Sequence, residues 1–128
     1  MAVDWTMPIL VVDDHRTMQA IVERRLRDLG FLSIDTAGDP VTALTMLAQR
    51  RYGLILSDWT MEPMSGITFL QTLRRDPSYA ATPFILVTAE SRPENVLEAR
   101  RLGVDGYLVK PFDAAGLKAK LVAVLGPF

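Results

Sequence analysis

Short unbroken aliphatic runs alternate along this chain with longer stretches whose apolar residues recur at helical spacing, and that switching predicts alternating strands and helices. Five strands are expected: "PILVVD" (8–13), "FLSIDTA" (31–37), "LILSD" (54–58), "FILVT" (84–88) and "GYLVK" (106–110). The first, third and fourth are nearly continuous aliphatics, as strands buried on both faces of a parallel sheet must be. The second interleaves Ser33 and Asp35 with Leu32 and Ile34, which suits an edge.

The intervening stretches carry helix punctuation. Met18, Ile21, Val22, Leu26 and Leu29 form one apolar stripe, and Gly30 is placed to stop that helix. Asp39 with Pro40 opens a helix running to about Arg51, and Ser65 caps one that buries Ile67, Leu70 and Leu73. Ser91 stands three residues before Glu94 as a capping box, while Asp113 caps a last helix that buries Leu117, Leu121 and Leu125 and is weakened locally by Gly116. Only residues 1–7 and "GPF" (126–128) read as tails. Arg24-Arg25, Arg74-Arg75 and Arg100-Arg101 fall on polar helix faces, where solvated charge is expected.

At 128 residues and 49% hydrophobic the chain suits one soluble α/β domain with a single core. A net charge of −1 supplies no basic surplus for a phosphate backbone or an anionic membrane, so nucleic acid and membrane partners are not expected. No apolar run approaches a membrane span of roughly 20 residues. Without cysteine there is neither a disulfide framework nor a thiolate metal site, and a reducing cytoplasm is the default compartment.

In a doubly wound parallel sheet, groups at the carboxyl ends of the strands converge on one crevice. Those ends carry Asp13 and Asp14, Asp58, Thr88 and Lys110. Three carboxylates brought together repel unless a cation lies among them, and with no cysteine and one histidine the donor set favours Mg²⁺, or Mn²⁺, over zinc. A metal beside an ammonium and a hydroxyl makes a clamp for a phosphoryl group, and an aspartate can accept one as nucleophile. Taken singly, each residue has a plainer reading. Adjacent acids suit a helix start, Thr88 a strand, Tyr107 ordinary packing, and His15 an exposed helix start without partners. Trp59 either packs over the site or stays exposed, and Met61 and Met64 fill loop and core.

Four motifs, "VVDD" (11–14), "LSDWTMEPMSG" (56–66), "VTAE" (87–90) and "GYLVKPF" (106–112), resemble the receiver domain of bacterial two-component response regulators in order and spacing. The stretches "DW" (58–59), "AESRPEN" (89–95) and "GYLVKPFDAAGLKAKL" (106–121) resemble its free-standing chemotaxis branch. The resemblance implies a (βα)5 flavodoxin-like three-layer sandwich with a five-stranded parallel sheet in order 2-1-3-4-5. Residues 1–128 would be a single receiver domain with no effector domain. It further implies that Asp58 is phosphorylated by a histidine kinase, that Asp14, Asp58 and the backbone carbonyl of Thr60 ligate Mg²⁺, and that Asp13 holds it through water. Lys110 would pair with the phosphoryl oxygens, and Thr88 would shift to hydrogen-bond them. Tyr107 would then turn from outward to inward and remodel the surface of the fourth helix, fifth strand and fifth helix.

On this resemblance the chain is a monomeric switch, not an enzyme, whose partner is a flagellar motor switch protein or, for a phosphate shuttle or sink, a histidine phosphotransfer protein. Thr60 and Glu90 stand where side chains tune dephosphorylation, and the Lys110-Pro111 bond would be cis. The chain departs from the family pattern at Glu62, Pro63 and Ser65, in and beyond the loop that follows Asp58. A Mg²⁺-dependent small-molecule phosphohydrolase is the rival, short of a second acid and a cap domain. A flavodoxin-like electron carrier is disfavoured by its acidic first turn, which would repel a flavin phosphate.

Overall fold

The computed structural model describes residues 3–126, and among them five strands alternate with five helices: β1 (Ile9–Val12), α1 (Arg16–Leu29), β2 (Ile34–Ala37), α2 (Pro40–Gln49), β3 (Leu54–Ser57), α3 (Gly66–Arg75), β4 (Phe84–Thr88), α4 (Pro93–Arg101), β5 (Gly106–Val109) and α5 (Ala114–Leu125). All strand pairs are parallel, in the order β2-β1-β3-β4-β5. Both the fold class and the expected strand order are therefore found.

The period of two along each strand divides the core into two layers. Leu10, Val12, Ile55, Phe84 and Leu86 face one side, packed with Ala43 and Leu47 of α2, Phe69, Leu70 and Leu73 of α3, and Ala99 of α4. Ile9, Val11, Leu54, Leu56, Ile85 and Val87 face the other, packed with Val22 and Leu26 of α1 and Leu117 and Leu121 of α5. Each fully buried aliphatic side chain contributes about 1.5–3 kcal/mol. The two layers therefore hold the strand ends rigidly against their helices.

Asp39, Ser65 and Asp113 cap α2, α3 and α5 as expected, accepting hydrogen bonds from the backbone N–H groups of Thr42, Thr68 and Gly116. Gly116 has a use besides weakening its helix, since a Cβ there would stand 3.0 Å from the capping carboxylate oxygen of Asp113.

Other expectations need correcting. The Ser91 capping box does not form: Pro93 takes the first helical position of α4, which makes Arg92 the N-cap, without a side-chain bond, and Glu90 accepts from the Arg92 backbone N–H. Ile21 is largely exposed and Ile67 and Leu125 are half-buried, each at the margin of its apolar face. Residues 3–7 are not a loose tail. Trp5 stacks on Phe31 at 4.8 Å, and Met7 fills the space where Gly53 lacks a side chain. Residues 1–2 and 127–128 lie outside the described residues. Arg74 is not solvated either; its guanidinium donates to the carbonyls of Gly103, Tyr79 and Thr82 and pairs with Asp105 at 2.9 Å.

Candidate functional site

Strand order reverses between β1 and β3, and the ladder brings their carboxyl ends level by pairing Val12 with Ser57. The Asp58 N–H donates to Val12 O at 3.0 Å and the Asp13 N–H donates to Ala37 O at 3.0 Å, so each aspartate is fixed one step beyond its strand. Both side chains are buried: Asp13 is 3% exposed and Asp58 6%. Asp14, the next residue out, is exposed.

The backbone around Asp58 is crowded. Gly66 N donates to Trp59 O at 2.7 Å, and a Cβ on Gly66 would collide with the Asp58 carbonyl oxygen, so only glycine lets the start of α3 close against this loop. The Trp59 N–H donates to Asp58 Oδ1 at 2.7 Å and orients the carboxylate.

Lys110 arrives from the end of β5, tied to β4 by its own N–H donating to Thr88 O at 2.8 Å. Its ammonium donates to Asp13 Oδ2 at 3.0 Å and Asp58 Oδ2 at 3.2 Å. The peptide bonds Lys110-Pro111 and Glu62-Pro63 are both cis. The ammonium thus holds two carboxylates with Asp14 as a third acid beside them, which leaves negative charge unmatched. Ligand atoms of Asp13, Asp14, His15 and Asp58 all lie within 4.8 Å of one another, a donor set of mostly hard oxygens that fits a divalent cation. Thr60 is exposed in the loop after Asp58.

Behind this cluster, Thr88 is 2% exposed and its hydroxyl accepts from the Glu90 N–H at 3.3 Å. Tyr107 is turned inward here, with its hydroxyl donating to Glu90 O at 2.7 Å and its ring edge-on to Trp59 at 6.4 Å. Trp59 therefore packs beside the site, half-buried. Burial, and then the negative charge of Glu90 and Asp58, push the Tyr107 phenol up to about 12. Glu90 itself is grasped by the Arg92 side chain and backbone and by Asn95, and these hydrogen bonds pull its carboxyl down to about 2.

One neighbour escaped the sequence reading. His15 has partners after all: its Nδ1 lies 2.9 Å from Asp14 Oδ1 and 3.2 Å from Asp13 Oδ1. Its position directly after two acids, as the sole histidine, was the only available signal.

Comparison with known proteins agrees with this geometry. The response regulator receiver domain matches residues 9–122. The chain belongs to the response regulator receiver family. This receiver is 46% identical to chemotaxis protein CheY-3 of Vibrio cholerae over 115 residues, 90% of this chain and 88% of that protein. It is 44% identical to the chemotaxis protein CheY of Pseudomonas aeruginosa over 90% of this chain and 93% of that one. Among solved structures it superposes on V. cholerae chemotaxis protein CheY4 with a TM-score of 0.86 at 34% identity, covering 94% of this chain and 99% of the other. The receiver domain of the P. aeruginosa sensor histidine kinase PA1611, with a magnesium ion in its active site cleft, superposes with a TM-score of 0.84 at 27% identity over 95% and 99% of the two chains. The protein is thus a receiver of the CheY type, a signalling switch of the kind that responds to a histidine kinase and acts on a downstream target. No helix among the described residues is long and apolar enough to cross a membrane.

Proposed function

We propose that Asp58 accepts a phosphoryl group from a sensor kinase in the cytoplasm and that this event switches the α4–β5–α5 face toward a partner in chemotaxis, the flagellar motor switch. One observation carries the reading: a buried carboxylate stands at the open end of the sheet beside an ammonium and two further acids. An Asp58 oxygen attacks phosphorus. A P–O bond forms as the P–N bond to the kinase histidine breaks, and the bonding pair returns to that nitrogen.

Lys110 and Thr88 would serve the new phosphoryl oxygens. The ammonium that now bridges Asp13 and Asp58 would turn to them, and the Thr88 hydroxyl would donate to another once it leaves the Glu90 N–H. Asp14, Asp58 and the Thr60 carbonyl would hold Mg²⁺ directly and Asp13 would hold it through water; when bound, the ion would supply positive charge that lets an anionic donor approach this acidic cluster. Glu90 ties these groups to the output face. Its N–H meets Thr88, its carbonyl meets Tyr107 of β5, and its carboxylate meets Arg92 and Asn95 at the start of α4. A shift of Thr88 therefore bears on Tyr107 and α4 together. The inward Tyr107 seen here is one end of the switch that would remodel this face, and Thr60 and Glu90 flank the acyl phosphate where side chains govern its hydrolysis.

Transfer of label from a phosphorylated histidine kinase, or from a small phosphodonor with Mg²⁺, tests the assignment. Wild type should acquire an alkali-labile acyl phosphate and Asp58→Asn should acquire none, whereas acid-stable label retained in Asp58→Asn would overturn it. Capture of a motor switch protein by the phosphorylated form supports the chemotaxis output. Capture of a histidine phosphotransfer protein alone would replace that output with a phosphate shuttle.

A further inference from the structure

We propose that His15 is an additional protein ligand to the divalent ion at this site, through Nδ1, so that this chain takes later first-row ions such as Co²⁺ and Ni²⁺ in preference to Mg²⁺. The proposal rests on the reading of Asp13, Asp14 and Asp58 as a metal site and adds to it a residue of different chemistry. Imidazole nitrogen favours the later transition ions, whereas Mg²⁺ keeps to oxygen.

The cluster is approached from two sides. Lys110 takes the Oδ2 atoms of Asp13 and Asp58, while the imidazole faces Oδ1 of Asp13 and Oδ1 of Asp14. The ring therefore stands against the carboxylate oxygens that the ammonium does not hold, and it does not compete with the lysine. Ligands about 2.1 Å from a shared ion lie at most about 4.2 Å apart, so the Asp14, Asp58 and His15 ligand atoms, all within 4.8 Å of one another, close on an ion with shifts of a few tenths of an ångström while Asp13 stays one water away.

The backbone fixes where the ring can go. The His15 N–H donates to Asp13 Oδ1 at 2.9 Å, its carbonyl accepts from the Gln19 N–H at 3.0 Å, and the Gln19 side chain donates to Asp13 O at 2.6 Å. A turn braced at both ends presents the imidazole to the acids, while 72% exposure of the side chain leaves the entry path open. A ring that only hydrogen-bonds to the acids is the competing account, and it predicts a Ni²⁺ affinity that does not depend on the ring.

Calorimetric titration of the metal-free, tag-free chain with Ni²⁺ and with Mg²⁺ separates the two. Wild type should bind Ni²⁺ more tightly, and His15→Ala should lose roughly tenfold or more in Ni²⁺ affinity while its Mg²⁺ affinity moves by less than about threefold. Because His15 is the sole histidine, ¹⁴N modulation of the electron spin echo of bound Mn²⁺ would assign the ligand directly, and it should vanish in His15→Ala. Unchanged Ni²⁺ affinity in His15→Ala, or no nitrogen coupling in wild type, overturns the proposal and leaves the acidic site standing. Mg²⁺ binding that persists in Asp14→Ala overturns the acidic site itself, and the role of His15 with it.

Discussion

At the amino-terminal end of the sheet Arg50 pairs with Asp35 at 2.7 Å, Tyr52 donates to the same carboxylate at 2.6 Å, and Arg74 meets Asp105 along with three backbone carbonyls. At the carboxyl-terminal end Asp13, Asp14 and Asp58 cluster beside one ammonium, that of Lys110, which pairs with Asp13 and Asp58. One end pairs Arg50 and Arg74 with acids and joins loops; the other holds negative charge in excess. Charge satisfied within the fold stabilises it, whereas charge left over attracts something from outside. The second arrangement is tolerable only because the strands beneath it are packed on both faces.

Three measurements press on that contrast. Arg74→Ala should have the largest effect, because it strands the carbonyls of Gly103, Tyr79 and Thr82 and leaves Asp105 unpaired. A loss of about 2–4 kcal/mol in urea denaturation is expected, and a loss near zero would mean that solvent replaces the clamp. Asp14→Asn should act in the opposite direction. In chelated buffer at pH 8 it should gain about 0.5–1 kcal/mol by relieving like charge, and the gain should disappear with Mg²⁺ present; destabilisation without metal would refute the excess of charge.

The smallest effect concerns pH. Hydrogen bonds from Arg92, and then Asn95, hold the Glu90 carboxyl down to about 2, so the clasp is complete above its ordinary pKa of 4.5 and is lost as pH falls toward 2. The Asn95 side-chain amide resonances should follow that loss, and Glu90→Gln should abolish it. Alkali does not distinguish the two ends. Burial first, and then nearby carboxylates, push both Tyr52 and Tyr107 up to about 12, and what they contribute below pH 10 is lost as pH rises through 12 at either end.

Much of the fold was legible because burial imposes period two on strands and 3.6 on helices, and the runs at 9–12, 54–57 and 84–88 are nearly pure aliphatic. Asp39, Ser65 and Asp113 were legible as caps because a cap bonds within three residues. Ser91 failed because Pro93 takes the first helical position, which moves the N-cap one residue on to Arg92. Arg74 and His15 were misjudged for a different reason. Spacing does not show where a side chain turns: Gly103 lies 29 positions from Arg74, and His15 read as an exposed helix-start residue although the acids it meets are its immediate neighbours.

Local patterning by itself determined the ten elements, the caps of α2, α3 and α5 and the apolar sets that make up the core, since each depends on side chains a few positions apart. Tertiary structure alone decided that Lys110 reaches across 97 positions to Asp13 and 52 to Asp58, and that Tyr107 lies inward on Glu90. Those meetings follow from strand order and register, which place residues remote in the chain at one edge, and no local periodicity encodes distances of that kind.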